Sequence, residues 1–176
     1  MIMRPGQQLL LPANPIFIWA SLLVALLINF VLNMGVAGRA AWMPDILALV
    51  LVFWTVHQPR WVSIGAAFFF GLCMDVHQTS WLGQHAMAYT VLSFFAITIH
   101  RRLLWFPVPS QAVQVFPLFA VAHAIGLALR LMGKSVFPGW PVMLAPMLEA
   151  LLWPVISVAL LLPQRRAPDP DANRPL

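Results

Sequence analysis

The chain carries very little charge for its length. Only 9% of its 176 residues are charged and only five are acidic, whereas 61% are apolar. A soluble domain carries about 25% charged residues, so this composition could not cover a surface that faces water. The sequence therefore predicts an integral membrane protein.

The chain also lacks a second cysteine, which excludes an internal disulfide. The single thiol, Cys73, lies in an apolar run, where a buried and unreactive state is expected. The apolar segments are continuous rather than alternating, which favours helices over the strands of a membrane barrel. The net charge of +5 comes from basic residues scattered at the ends of apolar segments, so nucleic-acid binding is not expected.

Six apolar segments fill the chain, and each is predicted to be a membrane-spanning helix. They cover residues 15–34, 43–56, 61–74, 85–99, 112–132 and 141–162. The second and third have about 14 residues each, so they would cross a locally thinned bilayer. We therefore predict an all-α bundle of about six transmembrane helices as a single domain over residues 1–162. A disordered cytoplasmic tail follows over residues 163–176.

The distribution of basic residues predicts the orientation of the bundle. Seven arginines fall on the side shared by both termini: Arg4, Arg60, Arg101, Arg102, Arg165, Arg166 and Arg174. Three basic residues fall on the other side: Arg39, Arg130 and Lys134. Because cytoplasmic loops carry the excess of Lys and Arg, both termini are expected in the cytoplasm.

Asp75 ends the apolar run of the third segment. Every fourth residue before it is small (Ser63, Ala67 and Gly71), a stripe that lets helices approach closely. A carboxylate at a helix C-terminus faces the negative end of the helix dipole, so Asp75 needs a partner. Backbone N–H groups of the following loop or a basic side chain would serve. A structural clamp, a contact with a partner protein and a chemical role all remain open.

Residue types suited to metal binding or acid–base chemistry do occur near Asp75. Cys73, His77 and His85 flank it, but the spacing matches no compact zinc pattern. An aspartyl dyad would need a second carboxylate on the same side. Asp45 after Pro44 is on that side, although it is typical of a first-turn acid at a helix start. No nucleotide-binding or hydrolase motif is present, so we predict no catalytic, cofactor or metal site.

Arg130 and Glu149 are the second pair of interest. Glu149 lies roughly 12 Å into the sixth segment, and a charge at that depth needs a partner or a proton. Arg130 lies just inside the end of the fifth segment on the same side of the membrane. We hypothesise an ion pair between them. The alternative is that Glu149 faces a cavity and binds a small cation or ligand.

The order of these features resembles the bacterial rod shape-determining protein MreD family. The stretch "WMPDILALVLVFWTVHQPRWVSIGAAFFFGLCMDVHQTSWLGQHAMAY" carries the family pattern at Pro44, Trp54, Pro59, Gly71, Asp75, Leu82 and Gly83. The ending "LLWPVISVALLLPQRR", with Trp153 and Pro154, is similar to the last helix of the family. The resemblance covers essentially the whole chain, although residues 101–140 carry no motif.

The resemblance implies a non-enzymatic scaffold in the bacterial inner membrane, part of the machinery that elongates the peptidoglycan wall. It implies MreC as a partner, together with RodA, a class B penicillin-binding transpeptidase and MreB. The six-helix plan is also similar to the substrate-capture subunits of energy-coupling-factor vitamin transporters. In that alternative, Glu149, Arg130 and His123 would line a small-molecule pocket.

Overall fold

The computed structural model describes residues 13–34, 42–133, 137 and 139–164 of the chain. Six α-helices occur in this part: α1 (Pro15–Met34), α2 (Ile46–His57), α3 (Ile64–Gln78), α4 (Gln84–Leu103), α5 (Val108–Met132) and α6 (Leu144–Leu161). Short 3₁₀ turns, Trp140–Met143 and Leu162–Gln164, flank α6. The described residues contain no strand, so the predicted all-α architecture is confirmed.

The boundaries of five helices, α2 to α6, differ from the predicted segments, and for α2 and α3 the local reasons are clear. Helix α2 starts at Ile46 because Asp45 is its N-cap and accepts a hydrogen bond from the Ala48 N–H at 2.9 Å. Pro44 therefore precedes the cap instead of opening the helix. Helix α3 continues to Gln78 and stops where Thr79 adopts the left-handed conformation, with φ of 50°.

Helix α2 is the central element of the bundle. All of its residues from 47 to 56 are buried, and α1, α4 and α6 pack against it. This burial accounts for a short helix that is apolar on every side. The indole N–H of the buried Trp54 has a partner, because Trp54 Nε1 donates a hydrogen bond to Ser21 Oγ on α1 at 2.7 Å. The protein surrounds α2, so thinning of the bilayer is not needed to explain its length.

Three helical segments are long and apolar enough to cross a membrane. They are Pro15–Met34, Val108–Met132 and Trp140–Gln164. Helix α3 has 15 residues and exposes Phe68 and Phe69, the two phenylalanines opposite the small-residue stripe. These features belong to an all-α membrane protein.

Part of the predicted orientation rests on residues outside the described ranges. These residues are Arg4, Arg39, Lys134, Arg165, Arg166 and Arg174. Residues 165–176 of the predicted tail also lie outside the described ranges. Among the described arginines, Arg60 follows the end of α2, and Arg101 and Arg102 lie in the last turn of α4. Arg130 lies near the end of α5, at the opposite end of the bundle.

Candidate functional site

The described acidic side chains of the bundle gather at one end, which we call the Asp45 end. It is formed by the starts of α2, α4 and α6 together with the ends of α1, α3 and α5. Three carboxylates lie there: Asp45, Asp75 and Glu149. These three carboxylates form a polar layer, and the apolar body of the bundle lies on the other side of it. The contacts of the three groups define the candidate site.

Asp75 fastens α3 to the start of α4. Its Oδ1 accepts hydrogen bonds from the Ser80 hydroxyl at 3.0 Å, the His85 N–H at 2.7 Å and His85 Nδ1 at 2.8 Å. Its Oδ2 accepts from the Gly83 N–H at 2.8 Å and the Ala86 N–H at 3.3 Å. The Gly83 N–H belongs to the loop, as the sequence predicted, whereas the His85 and Ala86 N–H groups belong to the first turn of α4. They satisfy a carboxylate that is only 1% exposed and lies at the unfavourable end of its helix.

Gly71 allows the close approach on which this clamp depends. A Cβ at Gly71 would lie 2.4 Å from Ala86 Cα and 2.6 Å from Ala86 N, both backbone atoms of α4. Ala67, one turn earlier on the same stripe, is fully buried, whereas Ser63 at the start of α3 is exposed. The small-residue face of α3 therefore packs on α4, and this contact begins after Ser63.

The loop between α3 and α4 is shaped by Gly83 and presents two large apolar side chains. Gly83 adopts φ of 103°, in the region that favours glycine, and precedes the first residue of α4. Trp81 and Leu82 are 63% and 76% exposed. Asp75 thus holds a loop with two largely exposed apolar side chains at the Asp45 end, and the Trp81 ring also lies against Gly133 after the end of α5.

Asp45 joins three helices. Besides capping α2, its carboxylate accepts a hydrogen bond from Asn29 Nδ2 on α1 at 2.6 Å and another from the Tyr89 hydroxyl on α4. Asn29 Oδ1 in turn accepts from the Ile46 N–H at 3.1 Å. The start of α2 is therefore fixed by side chains on both neighbouring helices. Asp45 and Asp75 have separate partner sets and do not form a catalytic dyad.

Glu149 is hydrogen-bonded to the start of α2 and lies beside α5, but the predicted ion pair with Arg130 is wrong. Its Oε1 accepts a hydrogen bond from the Asp45 N–H at 2.9 Å and lies 3.4 Å from His123 Nε2. Arg130 is exposed and makes no ion pair within the described ranges. The positions along α5 explain this difference. His123 lies beside Glu149, and Arg130 follows His123 by two helical turns, about 10 Å along the helix.

A cavity of about 180 Å³ opens at the Asp45 end, between these helices. Glu149, His123 and Tyr89 contribute polar groups to its wall, and Arg130 also lines it. Met43, Leu127 and Val142 are among its apolar lining residues. The described residues contain no group of three or more His, Cys, Asp or Glu side chains placed to hold a metal ion.

Trp153 and Pro154 lie away from this cavity, in the second half of α6. Trp153 is fully buried, and its Nε1 donates a hydrogen bond to Gln111 Oε1 on α5 at 3.2 Å. Helix α6 continues through Pro154 to Leu161. This pair therefore joins the last two helices of the bundle, and neither residue contributes to the polar layer.

Two members of the site, Asn29 and Tyr89, were not predicted from the sequence. Asn29 is a polar residue inside the first apolar segment, and Tyr89 is the chain's single tyrosine. Both were detectable, because a polar side chain within a membrane segment usually faces a partner inside the bundle. His77, which had been considered beside Asp75, instead stacks on Phe30 with ring centroids 3.9 Å apart.

Comparison with known proteins identifies the chain's relatives. Residues 13–162 match the family described as rod shape-determining protein MreD. A relative named rod shape-determining protein MreD, from Haemophilus influenzae, is 27% identical over 148 residues, which cover 81% of this chain and 89% of that protein. No solved structure matches. Since the family match extends over nearly all of the described bundle, the chain belongs to the MreD family of rod shape-determining membrane proteins.

Proposed function

We propose that the protein is a non-enzymatic scaffold of the cell-elongation machinery in the bacterial inner membrane. The observation that carries the proposal is the set of hydrogen bonds that two carboxylates, Asp45 and Asp75, make within the bundle. Asp45 accepts three hydrogen bonds and Asp75 accepts five, all from groups of its own bundle. Carboxylates satisfied in this way hold helices in place and shape a surface. The family match favours this function over a vitamin-capture subunit.

Family membership supports MreC as the direct partner. RodA, a class B penicillin-binding transpeptidase and MreB would belong to the same larger complex, in which the scaffold supports peptidoglycan synthesis and cell shape. The exposed Trp81 and Leu82 favour the loop between α3 and α4 as the MreC contact. Exposed aromatic and aliphatic side chains on a rigid loop are suited to anchoring a partner.

The charge distribution supports an orientation with both termini in the cytoplasm and the Asp45 end in the periplasm. Arg60, Arg101 and Arg102 lie at the end opposite the cavity, which the positive-inside rule assigns to the cytoplasm. A reporter enzyme fused after residue 176 should therefore be active in the cytoplasm. Activity of that fusion in the periplasm would contradict the orientation.

Co-purification with MreC tests the contact surface. A W81S/L82S variant should keep its melting temperature, because both side chains are largely exposed, and should lose MreC. In rod-shaped cells that depend on this protein, the same variant should produce round cells. Trp105→Ser is the matched control, since Trp105 is 89% exposed at the opposite end. Retention of MreC by the W81S/L82S variant would contradict the proposed surface.

A further inference from the structure

One oxygen of the Glu149 carboxylate makes no hydrogen bond within the described part of the bundle. Glu149 is fully buried and lines the cavity, yet its Oε2 has no hydrogen-bond partner among the described residues. A buried carboxylate oxygen without a hydrogen-bond donor destabilises the folded protein, and the free-energy cost is larger than for a neutral polar group. A group that enters the cavity with an N–H or O–H donor would remove this cost.

The neighbouring side chain of His123 also favours a ligand that donates hydrogen bonds. His123 Nδ1 lies 3.1 Å from the Phe119 carbonyl oxygen, which can only accept, so Nδ1 carries the ring hydrogen. In neutral imidazole, Nε2 is then an acceptor, and it lies 3.4 Å from Glu149 Oε1. The Glu149 carboxylate and this ring nitrogen, both hydrogen-bond acceptors, thus belong to residues that line one cavity. A primary ammonium group supplies three N–H donors together with the opposite charge.

The cavity also offers a binding group for an anion. Arg130 lines it from an exposed position and forms no ion pair within the described part of the chain. A cavity of about 150 Å³ accepts a ligand of benzene size, so about 180 Å³ is enough for a small zwitterionic group. Met43, Leu127 and Val142 add apolar surface beside these charges. The cavity opens at the helix ends, at the depth of lipid headgroups, and extends inward to Glu149.

We propose that this cavity binds a primary-amine zwitterion of the phosphoethanolamine type, with the ammonium on Glu149 and the phosphate on Arg130. The surrounding bilayer is the nearest source of this chemistry, as a phosphatidylethanolamine headgroup. The site would fix a lipid between α5, α6 and the start of α2, where the scaffold meets the headgroup layer. This binding is independent of MreC, so it can be tested on the isolated chain.

Lipid retention by the purified full-length protein tests the proposal. Native mass spectrometry would compare phosphatidylethanolamine, its N-methyl and N,N-dimethyl derivatives, and phosphatidylcholine with identical acyl chains. Phosphatidylcholine has no N–H donor, so it should be retained about tenfold less, the effect of losing one charge-assisted hydrogen bond. The methylated derivatives should fall between the two. Equal retention of all four lipids by the wild-type chain would overturn the proposal, even if no variant could be purified.

Two variants separate the roles of the charges. Glu149→Gln should bring the preference for the primary amine to within about twofold. Arg130→Gln should weaken retention of phosphatidylethanolamine and phosphatidylcholine alike, because both carry the phosphate. Arg102→Gln, an exposed arginine at the other end, is the control and should change neither. A Glu149→Gln protein that keeps the full preference would refute the assignment.

Soluble competitors identify the source of the ligand. Release of the lipid by glycerophosphoethanolamine, but not by glycerophosphocholine, would show that the headgroup alone suffices. Failure of both to compete, with the lipid preference intact, would show that the acyl chains contribute and that the ligand is a membrane lipid. If the wild-type chain showed no lipid preference and instead bound a lysine-containing peptide, the site would serve a protein side chain and the proposal would be wrong.

Discussion

Gly71 gives the sharpest test of how the bundle is held together. In a Gly71→Ala variant, the new methyl group would lie 2.4 Å from Ala86 Cα, whereas ordinary van der Waals contact begins at 3.4 Å. Helices α3 and α4 would therefore have to separate by about 1 Å, the difference between these two distances. The obstacle is backbone rather than a flexible side chain, so the strain cannot be relieved by a change of rotamer.

The separation would also weaken the Asp75 clamp, since the N–H groups of His85 and Ala86 point at that carboxylate. Overpacking of this kind costs about 1–3 kcal/mol. Gly65→Ala is the matched control on the same helix, because nothing lies within 4 Å of the Cβ that it would add. Both variants gain about 0.5–1 kcal/mol from replacing a helical glycine, so their difference isolates the strain.

Thermal unfolding of the two purified variants in the same detergent measures this difference. At roughly 2–4 °C per kcal/mol for a chain of this size, Gly71→Ala should melt several degrees below Gly65→Ala. MreC co-purification should fall with it if the loop after α3 forms the partner surface. A Gly71→Ala protein that melts at or above the temperature of the Gly65→Ala protein would refute the close-packing argument.

Three further outcomes are expected from the contacts of the other polar residues. Asp75→Asn should lower the melting temperature, because the amide nitrogen would face N–H donors at a cost of about 1–3 kcal/mol; an unchanged melting temperature would count against the clamp. A double-mutant cycle of Arg130→Gln and Glu149→Gln should show a coupling energy below about 0.5 kcal/mol, and a larger value would restore the ion pair that the structure lacks. Trp153→Phe and Gln111→Leu should each destabilise the protein by about 1–3 kcal/mol, and the double variant should cost less than their sum; strict additivity would mean that their hydrogen bond contributes nothing.

The sequence was sufficient to predict the six helices, and to give a clamp at Asp75 as one of three interpretations, because both depend on neighbours in the chain. The first segment has the predicted bounds, and Asp75 accepts hydrogen bonds from N–H groups 8 to 11 residues further on. The central position of α2 was not predictable, since a helix that is apolar on all sides suits lipid and protein surroundings equally. His123 was placed beside Glu149 only in the alternative of a small-molecule pocket, and an ion pair with Arg130 was predicted instead. The contact that forms depends on the height of α5 beside α6, which the spacing of residues within either helix does not fix.

The three described acidic residues all lie at the Asp45 end, but they are not equivalent. Asp45 and Asp75 have both carboxylate oxygens in hydrogen bonds, so their replacement should act on folding and, through it, on every function of the protein. Glu149 has an oxygen without a partner among the described residues, and the residue lines a cavity. Its replacement by glutamine should therefore change ligand retention more than the melting temperature. If Glu149→Gln instead lowered the melting temperature as far as Asp75→Asn does, Glu149 would be a third structural clamp rather than a binding group.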